Sequence, residues 1–388
     1  MDKLRVGVAG LGFGGEFVPI YKEYEKAECV AVCRRSEKEL NEFADQQGIE
    51  KRYTNLDDMI ADPDIDAIHI NTALLDHAPQ AIKALKAGKH VASTVPMGMT
   101  LEECKAIVEA EEESGKNYMM METSIYTREF LYFKKMYDAG ECGRMQMMRG
   151  SHQQNMSLPG WPEYWYGMPP MWYPTHAIAP LSEIIRKPIR QVRGIGSGRI
   201  REEYAKKYGS PFAAESVQMY FRDSDVAGEV TRTLFDTIRQ YRESFDFYGS
   251  EKSFEWEQCV DEGPVIFTGY EDAEHIHVPD TDYLLPDEIK HFTLKNQIID
   301  DQHVSFIQGS GHGGSHPHLV QEFVTSCLEG RKPHVSAKVA ATGTWPVSSD
   351  MNPACAVARS STCRNGPCLR TDPADTANHK QIQSSTKQ

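Results

Sequence analysis

Leu4-Arg-Val-Gly-Val-Ala-Gly10-Leu-Gly12-Phe13-Gly-Gly15 runs from a short apolar segment into a G-x-G-x-x-G turn. A helix-like stretch (16–26) follows, and then a second apolar run (29–33). This order of strand, glycine turn, helix and strand is the context in which the motif holds a dinucleotide. Gly10 permits the tight turn, Gly12 lets the backbone approach a pyrophosphate beside Phe13, and Gly15 lets the helix pack close with its N–H groups facing the phosphates.

Strand and helix patterns alternate up to residue 122, with apolar runs at 5–9, 29–33, 67–71, 90–93 and 118–121. Helical segments at 78–87 and 101–114 separate some of them. Thr100 and Glu103 have the capping-box spacing at the start of the second. Residues 1–122 therefore predict a Rossmann domain, a doubly wound parallel sheet in an α/β fold. Residues 123–341 read as a second α+β domain with an open, mainly antiparallel sheet, for substrate and oligomer contacts. Its strands are expected at 145–151, 189–195, 216–222, 228–235 and 244–255, and its helices at 127–139, 177–185 and 318–329.

From 342 to 388 hydrophobic periodicity is lost and Ser, Thr, Asn, Asp, Pro and Cys dominate, which predicts a disordered extension. Reverse translation offers a second reading. Beginning at the third base of the Thr342 codon, the shifted frame permits Trp, a polar or aromatic residue, an aliphatic one and Ala, a sequence compatible with an amphipathic helix. A frameshift near residue 341 is thus an expectation that sequencing the gene would test.

The chain has 388 residues, enough for two domains, and its 40% hydrophobic content supports ordinary cores. No stretch approaches the roughly 20 apolar residues of a membrane span. A strand beginning at residue 4 leaves no room for a signal peptide, so a cytoplasmic location is expected. The net charge of −14, with both signs interspersed, argues against a nucleic-acid partner. The cysteines up to residue 341 contain no C-x-x-C pair and read as reduced thiols.

After the second strand, where NAD enzymes place an acidic residue against the ribose, the chain has Arg34-Arg35-Ser36. Two guanidiniums and a hydroxyl suit a 2′-phosphate, so the cofactor is expected to be NAD(P) with a tilt toward NADP. Trp161, Trp165, Tyr166 and Trp172 lie in an aromatic, proline-rich loop suited to stacking on sugar faces. His152 ends the strand leading into that loop, where it would serve as a second acid/base. Glu122 follows the strand at 118–121, with a role at the nicotinamide and a structural hydrogen bond both open. His312, His316 and His318 lack a neighbouring carboxylate or thiol ligand, and no metal is expected.

Gly10/Gly12/Gly15, Asn71-Thr72 with His77, Gly88-Lys-His-Val, Pro96 and Thr100-Leu-Glu-Glu together resemble the Gfo/Idh/MocA oxidoreductase family across residues 3–340. The resemblance implies that Asn71, Thr72, His77, Thr94 and Pro96 lie along the cofactor. It also implies a homo-oligomer, dimer or tetramer, joined through the open sheet. Where most members have a catalytic lysine this chain has Val95, and of the usual Asp-x-Gly-x-x-x-His pattern only His176 is retained, in Tyr173-Pro-Thr-His176. Those departures resemble a branch with redox-neutral glycosidases, which keep NAD bound and act by oxidation, elimination, addition and re-reduction.

Oxidation of an alcohol needs a base for the hydroxyl proton, and His176 is the candidate, with Tyr173 as relay, substrate ligand or simple packing. The leading expectation is an oxidoreductase moving a hydride between the cofactor and a hydroxyl of a sugar, glycoside or polyol. The alternative is a redox-neutral glycoside hydrolase. A cofactor-binding regulator is a third class, disfavoured by His176 and the aromatic loop.

Overall fold

The computed structural model describes residues 3–158, 160–239, 241–259, 261–293 and 310–342, and in it β1 (Leu4–Ala9) is buried at five of six positions. A strand that apolar needs cover on both faces. The chain supplies it through α1 (Phe17–Glu23), β2 (Ala27–Cys33), α2 (Glu37–Gln47), β3 (Lys51–Tyr53), α3 (Leu56–Ala61), β4 (Ala67–Ile70), α4 (His77–Lys86), β5 (His90–Ser93), α5 (Leu101–Ser114) and β6 (Tyr118–Met120). The six strands are parallel, in the order β3-β2-β1-β4-β5-β6. That order reverses between β1 and β4, so the glycine turn after β1 opens at the topological switch point. At α5 the capping box forms as its spacing predicts: Glu103 N donates to Thr100 Oγ1 at 3.1 Å, and Thr100 N donates to Glu103 Oε2 at 3.1 Å.

The second layer consists of α6 (Arg128–Asp138), β7 (Met145–Gln154), α7 (Thr175–Ile185), β8 (Ile189–Ser197), α8 (Glu202–Tyr208), β9 (Ala214–Phe221), β10 (Ala227–Thr233), β11 (Tyr241–Gly249), β12 (Ser253–Glu255), β13 (Val265–Phe267) and β14 (Ala273–His275). They form one eight-stranded sheet in the order β14-β13-β12-β11-β7-β10-β9-β8, antiparallel throughout except between β7 and β10. The strand expected at 244–255 is two strands, β11 and β12, divided by the turn at Gly249. Helix α7 lies against the sheet at Gly150, where a Cβ would collide with the Ala177 carbonyl. This close approach sets His176 over His152, the next position of β7 on the same face.

α9 (Ser310–Glu329) begins earlier than the expected residue 318, because the Gly- and Pro-rich stretch before it reads as non-helical. Its Leu319, Val320, Phe323 and Val324 pack with Leu4, Phe17 and Tyr21, so the end of the described chain returns to the first sheet. Met120 N then donates to Val335 O at 3.0 Å beyond β6. Residues 343–388, and with them the disorder and frameshift readings, lie outside the described residues. Among the described residues no helix is long and apolar enough to cross a membrane, and all six cysteines are free.

Candidate active site

At the switch point the backbone itself forms a cradle. Gly10 has φ +83°, and a Cβ there would run into the Asn71 carbonyl, so only glycine fits. A Cβ on Gly12 would meet nothing within 4 Å, which leaves open space above the turn for a pyrophosphate. At Gly15 a Cβ would lie 3.0 Å from the Phe43 ring, the close packing that the third glycine serves. Asn71 Oδ1 is buried without a hydrogen-bond partner beside this turn. These residues fit a dinucleotide.

His77 is buried between Thr72 O at 3.1 Å and Pro96 O at 2.9 Å, so it joins the loops after β4 and β5. Thr72 Oγ1 donates to Gln80 and Thr94 Oγ1 to Ile70 O, which gives both hydroxyls scaffold partners. Phe13 sets its ring edge-on to Phe17 and His312. At the end of β2, Arg34 pairs with Glu39 at 2.7 Å, Arg35 is exposed, and Ser36 makes no side-chain cap bond to α2.

The chemically dense region lies on the inner face of the second sheet. Strand register places Glu243 of β11 beside His152 of β7, His152 beside Arg232 of β10, and Arg232 beside Glu215 of β9. α7 lowers His176 onto one end of this polar row, its ring centroid 5.0 Å from that of His152. Glu122, arriving from just past β6, places Oε1 2.6 Å from His176 Nδ1, while Tyr173 OH lies 3.1 Å from Nε2. Glu122 Oε1 also accepts bonds from Ser124 N and Oγ. Glu243 Oε1 lies 3.7 Å from Nε2 of both histidines and accepts a hydrogen bond from Tyr241 OH. Arg232 donates to the carbonyls of Tyr173, His152 and Thr233 and to Gln154 Oε1, all within 3.0 Å. It therefore fixes the backbone on both sides of the site.

Burial and charge set the protonation states. Burial opposes a charge on His176, but the Glu122 carboxylate at 2.6 Å is the chief counterweight, and the balance raises its pKa above the ordinary imidazole value. The same contact holds the Glu122 carboxyl below its usual range against its own burial. His152 is pushed well down by burial, aided by Arg232 and His176, and is neutral. Burial raises Glu243 and also lifts Glu215 to about 7, while it lowers Arg232 to about 10.

The structure brings together His176, Tyr173, His152 and Glu122 of the expected site residues, and Glu122 makes through Oε1 a hydrogen bond to His176, one of the two roles its sequence position leaves open. The aromatic loop differs from the stacking platform expected. Trp161 and Trp165 are buried in a cluster with Met156, Met168 and Phe235. Trp165 meets Tyr173 edge-on, Tyr166 stacks on Tyr204, and Trp172 meets Tyr208, so these rings chiefly brace the site. His316 pairs with Glu16 at 3.1 Å and His318 with Thr281 at 2.8 Å, whereas His312 reaches within 6.0 Å of the His176 ring. Sequence reasoning missed Glu243 and Arg232. The available signal was parity: Glu243 alternates in phase with Phe245 and Phe247, and Arg232 with Val230, which puts a charge on the core face of each strand. His152, His176 and Glu243 also bring one ligand atom each within 4.8 Å of one another, a spacing open to a divalent cation.

Residues 4–122 match the family described as "Oxidoreductase family, NAD-binding Rossmann fold". The nucleotide-binding part of the chain is thus similar to the Gfo/Idh/MocA oxidoreductases, and the two-sheet architecture of the whole follows the fold of solved dehydrogenases. A glycosyl hydrolase family 109 protein of Shewanella baltica is 33% identical over 207 residues, covering 47% of this chain and 44% of the relative. An alpha-N-acetylgalactosaminidase of Shewanella oneidensis is 31% identical with the same coverage. The chain thus spans less than half the length of these relatives. Among solved structures, levoglucosan dehydrogenase in complex with NADH and levoglucosan superposes with a TM-score of 0.72 at 20% identity, over 92% of this chain and 98% of that one. Myo-inositol 2-dehydrogenase from Lactobacillus plantarum gives 0.68 at 19% identity over the same shares.

Proposed function

We propose that the chain is a nicotinamide-dependent oxidoreductase that moves a hydride between NAD(P) and a hydroxyl of a sugar, glycoside or polyol. The observation that carries this reading is the buried run Glu122, His176, Tyr173, with contacts of 2.6 and 3.1 Å on the two sides of one imidazole. Glu122 holds the proton on Nδ1, which leaves the Nε2 lone pair facing Tyr173 and the substrate side. When bound, the nicotinamide supplies the hydride acceptor. The chain's own part is to remove the hydroxyl proton, which passes to His176 Nε2 with the Tyr173 hydroxyl hydrogen-bonded beside it. Val95, only 8% exposed where the resemblance expects lysine, contributes no titratable group, so this proton chemistry rests with His176. The carbohydrate class is supported by the sugar and inositol dehydrogenases among the structural neighbours and by the glycosidases among the relatives.

The finer cofactor choice is NADP, resting on Arg35 and Ser36, since Arg34 is engaged by Glu39. A homo-oligomer joined through the open face of the second sheet, and a cytoplasmic setting, belong to the same reading. A second reading, redox-neutral glycoside hydrolysis, is favoured by the additional pair His152 and Glu243 beside His176. One assay separates the two: incubation with glycosides and with free sugars while both reduced cofactor and released aglycone are followed. Net cofactor reduction supports the dehydrogenase, and aglycone release without it supports the hydrolase. If neither occurs across sugars, glycosides and polyols, the oxidoreductase reading fails.

A further inference from the structure

Three atoms converge beside the Tyr173–His176 contact. Glu243 Oε1 is 3.7 Å from His152 Nε2 and 3.7 Å from His176 Nε2, too far for a direct hydrogen bond to either. Both nitrogens of His152 are buried without any hydrogen-bond partner, which is costly unless a group from outside the chain completes them. One oxygen seated off the plane of these three atoms would come within ordinary hydrogen-bond length of each, and so would give His152 Nε2 a partner.

We propose that Glu243, with His152 and His176, forms a tripod that holds the reacting oxygen of the substrate, as a hydroxyl before oxidation and as a carbonyl after it. This rests on the alcohol-oxidation reading above. The hydrogens balance in both states. Before oxidation the hydroxyl donates its proton to His176 Nε2, while its lone pairs accept from His152 Nε2–H and from the Glu243 carboxyl group. Once that proton has moved to His176 and the hydrogen on carbon has left as hydride to the bound nicotinamide, the carbonyl oxygen faces three donors, which polarises it and acidifies the neighbouring C–H. A simple dehydrogenase needs one base, whereas elimination next to a carbonyl needs this further polarisation.

The arrangement requires Glu243 to be a carboxylic acid at neutral pH. Burial favours the acid form, and Glu122 on the far side of His176 adds to it. His176 on α7, the Tyr241 hydroxyl on the same strand and Arg232 on β10 pull the other way, and the balance lies above the ordinary carboxyl value. Tyr173, whose pKa is raised by burial, faces the group as a neutral phenol.

The test begins without substrate. An infrared difference spectrum of wild type minus Glu243→Gln at neutral pH should contain the C=O stretch of a protonated carboxyl group; a carboxylate signature there overturns the proposal. Metal analysis of the purified protein, before and after equilibration with Zn²⁺ and desalting, should find no stoichiometric ion. One equivalent held by wild type and lost in Glu243→Gln would make the three residues a cation site and overturn it too. With any sugar that turns over, Glu243→Ala should lower kcat about 100-fold, as loss of an oxyanion donor does. Glu243→Gln, whose amide also donates, should recover most of that loss. Glu243→Ala with unchanged kcat, or Glu243→Gln as impaired as the alanine variant, refutes the donor role. Inactivity on every sugar sinks the oxidoreductase reading and this proposal with it, whereas a carboxylate signature or a bound ion, both seen without turnover, overturns the proposal alone.

Discussion

The glycine turn after β1 and the polar row across the second sheet are the two halves of the proposed site, yet they are built in opposite ways. The turn works by what is missing: Gly10 clears the Asn71 carbonyl and Gly12 leaves its space open, within a few consecutive residues. The row works by side chains, Glu243, His152, Arg232 and Glu215, drawn from four strands and aligned only by register. Two residues along, the same strands align Phe245, Gly150, Val230 and Val217, an apolar row typical of a core. Two residues along each strand therefore separate chemistry from packing. The strongest way to break the contrast is at its chemical end: His176→Ala should lower kcat about 1,000-fold, within the range for loss of a positioned acid/base, with circular dichroism unchanged. Near-normal turnover would remove His176 from the mechanism. Glu122→Gln should move the acid limb of kcat/KM to lower pH, because it removes the carboxylate that raises the His176 pKa.

Arg232 is the row's structural member. Its guanidinium serves four acceptors, and Arg232→Met would remove the bonds that the carbonyls of Tyr173, His152 and Thr233 accept from it. A loss of about 3 kcal/mol in unfolding free energy is expected, measured by denaturant titration. A loss below about 1 kcal/mol would mean that water replaces the guanidinium and that the row is held by packing alone.

This contrast also explains what could be read beforehand. Local features were legible: the capping box at Thr100, the glycine cradle and the His176–Tyr173 pair all depend on residues within a few positions of one another. Glu243 and Arg232 escaped because each is one charge in an ordinary strand, and their meaning arises only when His152 is placed between them. The burial of Trp161 and Trp165 is hard to read for the converse reason: a Pro- and Gly-rich loop suggests exposure, but here its rings find enough partners to form a core of their own.

Glu215 closes the row at the end away from His176 and accepts a bond from Met171 N at 2.7 Å. Burial raises its pKa to about 7, so in the folded protein it keeps a proton that the unfolded chain releases from its ordinary carboxyl value upward. The unfolded state then binds fewer protons, and stability falls as pH rises until the folded group has itself ionised, just above 7. Glu215→Gln should remove that decline, gaining at most about 3 kcal/mol at pH 8 and little at pH 4. Melting curves at the two pH values decide it, and an equal effect at both would mean that Glu215 is not held protonated.

The smallest effect is expected at the cofactor end, where the turn meets Arg34, Arg35 and Ser36. Arg34 and Glu39 form a pair about half exposed to water, so neither charge is held rigidly. A 2′-phosphate arriving there would meet Arg35 unopposed and would have to compete with Glu39 for Arg34. Arg35→Ala should therefore weaken NADP relative to NAD by about 10-fold, the order of one charge-assisted phosphate contact. Glu39→Gln should shift the ratio the other way by a smaller factor, since it releases Arg34 to the phosphate. Dissociation constants for the two cofactors, measured by fluorescence titration at low and high salt, test both variants, with the difference shrinking at high salt. If Arg35→Ala weakens both cofactors alike, the guanidinium lies on the adenine rather than at the ribose, and the turn reads only the pyrophosphate that Gly12 leaves room for.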